Sequence, residues 1–155
     1  MKLALIILII TLCLYGTAHA WTEYKNIHYM DFDGDFADEI IIEAKHGAGS
    51  NHYIEDMRIF KDNYPKLDLI FTVRTLDSTY GFEPSSPYNC DVISSVKFTE
   101  PTIQNNGVRD IIVKSKKTSY KDDENKIINK EEILGTKIFK WDGMKFIESK
   151  DQKTI

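Results

Sequence analysis

Apolar residues in this chain come in short runs that alternate with polar ones, the period-two pattern of strands rather than the 3.6-residue period of helices. Runs of this kind, rich in β-branched and aromatic residues, cover residues 40–44, 53–60, 67–73, 92–98, 108–113, 133–139 and 145–147. Met57-Arg58-Ile59-Phe60, Leu67-Asp68-Leu69-Ile70-Phe71 and Ile93-Ser94-Ser95-Val96-Lys97-Phe98 alternate as a sheet with one wet face does. Between the runs lie a Gly-rich stretch at 45–52, a stretch at 78–89 with Pro84 and Pro87, and the charged Lys121-Asp122-Asp123-Glu124-Asn125-Lys126. Asp142-Gly143 sits between two strand-like runs and predicts a hairpin turn, because that pair readily takes positive φ. Residues 129–134 fit either a short helix or part of a long exposed hairpin. The expected fold class is all-β, a small and mainly antiparallel sheet assembly with at most one short helix.

The start of the chain has a different pattern. Lys2 precedes an apolar run over 3–14, and Ala18-His19-Ala20 forms a small-x-small cleavage site before Trp21. Residues 1–20 are therefore expected to be a secretory signal, and 21–155 a single β domain that is exported, periplasmic or extracellular. An uncleaved anchor is the rival, but the apolar run is shorter than the ~18–20 residues a span needs. The mature chain is expected not to be membrane-embedded. Cys13 lies in the leader without the small residue that precedes a lipoprotein cysteine, and Cys90 then has no internal partner. Core packing and metal, not disulfides, must hold such a domain. Removing Lys2 from the 20 basic residues leaves 19 against 24 acidic ones, a net charge of −5. Acidic residues outnumber basic ones 16 to 8 over 21–113, whereas over 114–155 basic residues lead 11 to 8. An acidic chain with Arg only at 58, 74 and 109 argues against nucleic-acid binding.

The densest chemistry is Asp31-Phe32-Asp33-Gly34-Asp35-Phe36-Ala37-Asp38-Glu39, five carboxylates leading straight into Ile40-Ile41-Ile42. Side-chain oxygens at Asp31, Asp33, Asp35 and Glu39 occupy positions one, three, five and nine, and Ala37 at seven offers a backbone carbonyl. Oxygen-only ligands at alternate places suit a hard divalent cation, best Ca²⁺ with its six to eight ligands in loose geometry. An EF-hand is excluded: position six is Phe36 rather than Gly, position twelve is Ile42 rather than Glu, and the flanking run is β-branched. The plainer alternative is an acidic, solvated turn before a strand. An echo follows at residues 102–113, where Asn106, Gly107 and Asp110 align with Asp35, Phe36 and Glu39, but Thr102 and Gln104 stand in place of Asp31 and Asp33. This second unit is expected to keep the turn and strand without the metal.

The loop and its echo resemble the calcium loops of FG-GAP and VCBS-type repeats, the blades of integrin-α-like β-propellers, with their Asp-x-Asp/Asn-Gly-Asp-Gly-x-x-Asp pattern before an apolar strand. The resemblance implies Ca²⁺ ligands at Asp31, Asp33, Asp35 and Glu39, with the Ala37 carbonyl, and two blade-like units over about 21–98 and 99–155. Phe36 departs from the pattern's second glycine and implies a distorted or strained turn. A closed propeller needs at least four blades, so a small open assembly of such units is expected.

Other constellations are thinner. His46 and His52 flank the Gly-rich stretch but lack a third zinc ligand, which leaves them as expected surface residues. Ser50, Ser85 and Ser86 lack a nucleophile elbow, and the adjacent acids Glu55-Asp56 and Glu131-Glu132 should point to opposite faces of a strand. No catalytic set emerges, and a non-enzymatic role is expected. Tyr53, Tyr64, Tyr80, Phe82 and Tyr88 are candidate loop aromatics for gripping an envelope or extracellular protein or a glycan, with burial in the core as the alternative. Two functions follow: a calcium-stabilised interaction module, or a periplasmic inhibitor of a secreted hydrolase that plugs an active site with the 78–89 loop.

Overall fold

The computed structural model describes residues 21–47, 52–79, 88–123 and 126–150. Residues 1–20, with the expected leader, lie outside the described residues, as do 48–51 and most of the 78–89 stretch, including Tyr80 and Phe82. The described chain forms β1 (Trp21–Met30), β2 (Glu39–Gly47), β3 (His52–Asn63), β4 (Lys66–Thr79), β5 (Tyr88–Phe98), a 3-10 turn (Ile103–Asn105), β6 (Ile111–Asp123), β7 (Lys126–Trp141) and β8 (Phe146–Glu148). Every strand pairs antiparallel with the next, giving one open eight-stranded meander.

The all-β expectation therefore holds in its coarse form, while the sheet does not close and no propeller blade is established. The short helix weighed for 129–134 is replaced by β7, whose long hairpin with β6 matches from Ile111↔Phe139 to Asp123↔Lys126. The charged run Lys130-Glu131-Glu132 fits an exposed strand as well as a helix, and cross-strand hydrogen bonding decides in favour of the strand. β1 is an addition: Trp21, Tyr24, Ile27 and Tyr29 carry strand residues, but the register shifts between Tyr24 and Asn26, and that bulge hides the alternation. The Asp142-Gly143 turn forms as predicted, with Gly143 at φ 101°. Asp142 closes it by accepting the Met144 and Lys145 amides at 2.8 Å each. Phe146, not Lys145, opens the last strand.

The core arises where the sheet splits. β4 and β5 pair only from Leu76↔Ile93 to Thr79↔Cys90, although β4 runs back to Lys66 and β5 on to Phe98. Below that seam the inner faces of β1–β4 and β5–β8 turn toward each other. Ile41, Met57, Ile59, Ile70 and Phe71 from one half pack with Ile111, Val113 and Phe146 from the other. Edge-to-face aromatic pairs join the halves, Phe32 to Phe98 at 4.9 Å and Phe71 to Phe139 at 5.1 Å, an arrangement that suits ring quadrupoles. Phe32, fully buried, is the only core residue drawn from the 31–39 loop.

Candidate metal centre

The 31–39 loop connects β1 to β2, and alternation sorts its side chains. Phe32 points into the core, whereas Asp31 and Asp33 on either side point out of it. The loop's own backbone then wraps around its acids. Asp31 Oδ1 accepts the Gly34 amide (2.8 Å) and Oδ2 the Phe36 amide (3.1 Å), and Asp35 Oδ1 accepts the Ala37 amide (2.8 Å). Such Asx-type bonds set a tight curl before any cation is present. The curl places Gly34 at φ 79° and Phe36 at φ 67°. The strain expected at position six is therefore real, and it is tolerated because the Phe36 side chain is 98% exposed and meets no neighbour it must avoid.

The second loop, at 99–110, packs directly on the first. The Arg109 amide donates to the Phe32 carbonyl (2.9 Å), and Arg109 Nε donates to the Asp31 carbonyl (3.1 Å). Gly34 and Gly107 meet at the contact: a Cβ on Gly34 would sit 2.1 Å from the Asn106 carbonyl oxygen. Asn106 and Gly107 take positive φ, at 52° and 83°; Gly107 matches its counterpart Phe36 in this, whereas Asp35, the counterpart of Asn106, does not. Asp110 turns to the Thr99 hydroxyl, which accepts its amide at 2.8 Å, and among the described residues the second loop gathers no acidic cluster.

In the first loop, Asp31, Asp33 and Glu39 each place a carboxylate oxygen within 4.8 Å of the other two. These three of the expected ligands converge, and no ion is part of the structure. Asp35 leans away toward solvent and toward Lys61, and Ala37 contributes its amide to Asp35. The sequence did not point to Lys61. Its ammonium, on β3, hydrogen-bonds Asp33, donates to Asp35 Oδ2 at 2.7 Å, lies 3.9 Å from Glu39 Oε1, and stands 5.8 Å from the Trp141 ring centre. Burial works to lower its pKa, but the hydrogen bonds to Asp33 and Asp35 outweigh that and hold it above the ordinary lysine value. The hydrogen bond from Lys61 in turn lowers the pKa of Asp35.

No family model, curated protein or solved structure matches this chain. The site must be read from its own geometry.

Glu39 is its most informative member. It is 1% exposed, and burial pushes its carboxyl up to about 7, against the pull of the Phe32 amide that Oε2 accepts at 2.8 Å. The neighbouring Asp33 charge raises it further, while Lys61 lowers it. A buried acid beside two more acids is costly unless a positive charge answers it. In this structure the positive charge facing these acids is the Lys61 ammonium.

Two sequence expectations change here. His46, expected at the surface, is buried at 5% exposure and Nε2–H donates to Asp56 Oδ2 (3.2 Å), while His52 is part-exposed and hydrogen-bonds Asp77 Oδ1 (2.6 Å). Tyr53 and Tyr88 belong to β3 and β5 rather than to loops, and Tyr64, in the β3–β4 turn, is 92% exposed.

Proposed function

We propose that this chain is an exported, non-catalytic β module that one Ca²⁺ stabilises through the 31–39 loop, and that its exposed faces engage a protein or a glycan. The carrying observation is the convergence of Asp31, Asp33 and Glu39 on a loop rooted in the core by Phe32. The donor set fits the ion: hard oxygens, a curl already formed, and a buried carboxylate that needs a positive partner. Asp31, Asp33 and Glu39 would hold the ion, with Asp35 and the Ala37 carbonyl as the remaining candidates. The likeness to FG-GAP and VCBS-type loops supports this, and the strained Phe36 at position six sets it apart. When bound, Ca²⁺ would supply charge neutralisation and fold stability rather than chemistry on a substrate. Lys61 supplies part of that charge without metal, so the ion must compete with a residue of the chain itself.

The test is a thermal melt in EDTA and in millimolar CaCl₂, on wild type and on D31N/D33N. Calcium should raise the wild-type Tm and leave the double variant unmoved, since a ligand that binds only the folded state stabilises it by linkage. A Tm unchanged by EDTA or calcium in wild type would show that Lys61 alone neutralises the loop. Affinity capture from envelope extract, with and without calcium, then tests the interaction role.

A further inference from the structure

Because every strand pairs antiparallel with the next, the β1–β2, β3–β4, β5–β6 and β7–β8 connections all lie at one end of the sheet. Contacts draw the four together. Gly34 meets Asn106 and Gly107 across the first and third connections. The Lys61 ammonium, just before the β3–β4 turn, hydrogen-bonds Asp33 and Asp35 of the first connection and stands 5.8 Å from the ring centre of Trp141, where β7 ends.

Each of these connections lifts one large apolar side chain into solvent. Phe36, Tyr64, Ile103 and Met144 are each exposed by 81% or more, and among the described residues Ile133 on β7 alone joins them in that range. Apolar residues scattered singly over a surface need no explanation, but one on every connection at one end is a pattern. Phe36 is held in place against its own backbone preference, at φ 67°.

Between these side chains stand exposed charges of both signs, Asp38 and Asp62 with Lys66 and Lys145. A protein interface gathers its apolar groups into one packed, desolvated centre and keeps charge at the rim. Here the apolar groups are separate, and a protein seated on them would bury the charges as well. A bilayer surface accepts this arrangement: apolar side chains sink into the boundary of headgroups and acyl chains, while charged ones stay among the hydrated headgroups. Acids and lysines side by side suit headgroups that carry both an ammonium and a phosphate. A strongly anionic surface would be repelled by the acidic 31–39 loop.

We propose that this end of the sheet rests on a zwitterionic phospholipid bilayer, with Phe36, Tyr64, Ile103 and Met144 as shallow anchors. The chain lies on the membrane and does not cross it through this end. The proposal goes beyond the calcium reading and needs no bound ion.

Vesicle flotation tests it on the purified full chain, in EDTA and in calcium. The vesicles are phosphatidylcholine, phosphatidylcholine with phosphatidylethanolamine, and phosphatidylcholine with phosphatidylglycerol. Wild type should float with both zwitterionic preparations in either condition. F36S/Y64S/I103S/M144S should bind them about tenfold or more weakly, since four apolar side chains no longer leave water. All four positions are exposed, so this variant keeps the fold. It also keeps residues 1–20, so binding through their apolar run would survive in it. Tyr64→Trp gives a second readout: measured against wild type, its emission should shift to the blue on vesicles and be quenched by brominated lipid. Equal flotation of wild type and the fourfold variant, flotation with phosphatidylglycerol vesicles alone, or an unchanged Y64W emission would each overturn the proposal. So would capture of a protein that the fourfold variant loses, with no vesicle binding, which would assign this end to a protein. Flotation in EDTA stands whether or not calcium moves the melt, so the two readings fail separately.

Discussion

The two loops that meet at Gly34 and Gly107 share a plan and differ in charge. Each leads from a strand through residues at positive φ into an Ile-rich strand, β2 or β6, and each ends on an acid, Glu39 or Asp110. In the first, carboxylates occupy the alternate positions and a lysine from β3 reaches in to answer them. In the second, Thr102, Gln104 and Asn106 occupy those places, and Thr99 and Arg109 complete the turn with ordinary hydrogen bonds. The scaffold of a turn can thus persist without its electrostatics. Neutral side chains close a turn by themselves, whereas a cluster of carboxylates needs a positive charge or a bound proton to offset its repulsion.

Substitutions can break this comparison in order of effect. Gly34→Ala should cost about 4 kcal/mol in denaturant unfolding, because its Cβ would strike the Asn106 carbonyl and φ is already positive. Gly107→Ala, whose Cβ would lie 3.3 Å from the Gly34 Cα, should cost about 1–2 kcal/mol. Equal losses would mean that the first loop can move away from the second.

Glu39 supplies a pH signature. In the calcium-free protein its folded-state pKa of about 7 exceeds the ordinary 4.5, so the folded state binds the proton more tightly. Its stability contribution is full below about 4.5 and is lost as pH rises through about 7. From pH 8 to pH 5, calcium-free wild type should gain up to about 3 kcal/mol relative to E39Q, and parallel curves would refute the burial argument.

Lys61→Met should lower calcium-free stability by about 1–2 kcal/mol, since it leaves Asp33 and Glu39 unanswered, and calcium should restore most of the loss. A loss that calcium does not repair would place Lys61's value in packing near Trp141. The smallest effect belongs to Phe36→Asn, which relieves a left-handed aromatic with an exposed side chain and should add about 0.5 kcal/mol, a rise of a degree or two in Tm. The same change at a residue with negative φ would add nothing.

Much of this site was legible before folding and some was not, for identifiable reasons. The spacing of Asp31, Asp33 and Glu39 announced their convergence, because ligands within nine residues are brought together by one turn. Phe32 carried no sequence signal that set it apart, yet it is fully buried and anchors the loop in the core. Lys61 had no local signal, but the hairpin register pairs Ile40 with Phe60, so the next step along sets Lys61 beside Glu39. A register argument on β2 and β3 would have found it.

The sequence by itself determined the strand periodicity, the hairpin at Asp142-Gly143 and the acidic loop, because each depends on residues within a few positions of one another. Only the tertiary structure decided that 129–134 would be strand, that the sheet would split between β4 and β5 to enclose a core, and that Lys61 would meet the loop at Asp33 and Asp35 and Arg109 at Asp31. Those outcomes depend on pairing between distant segments, where burial and complementary hydrogen bonds outweigh the weak preferences of any single run.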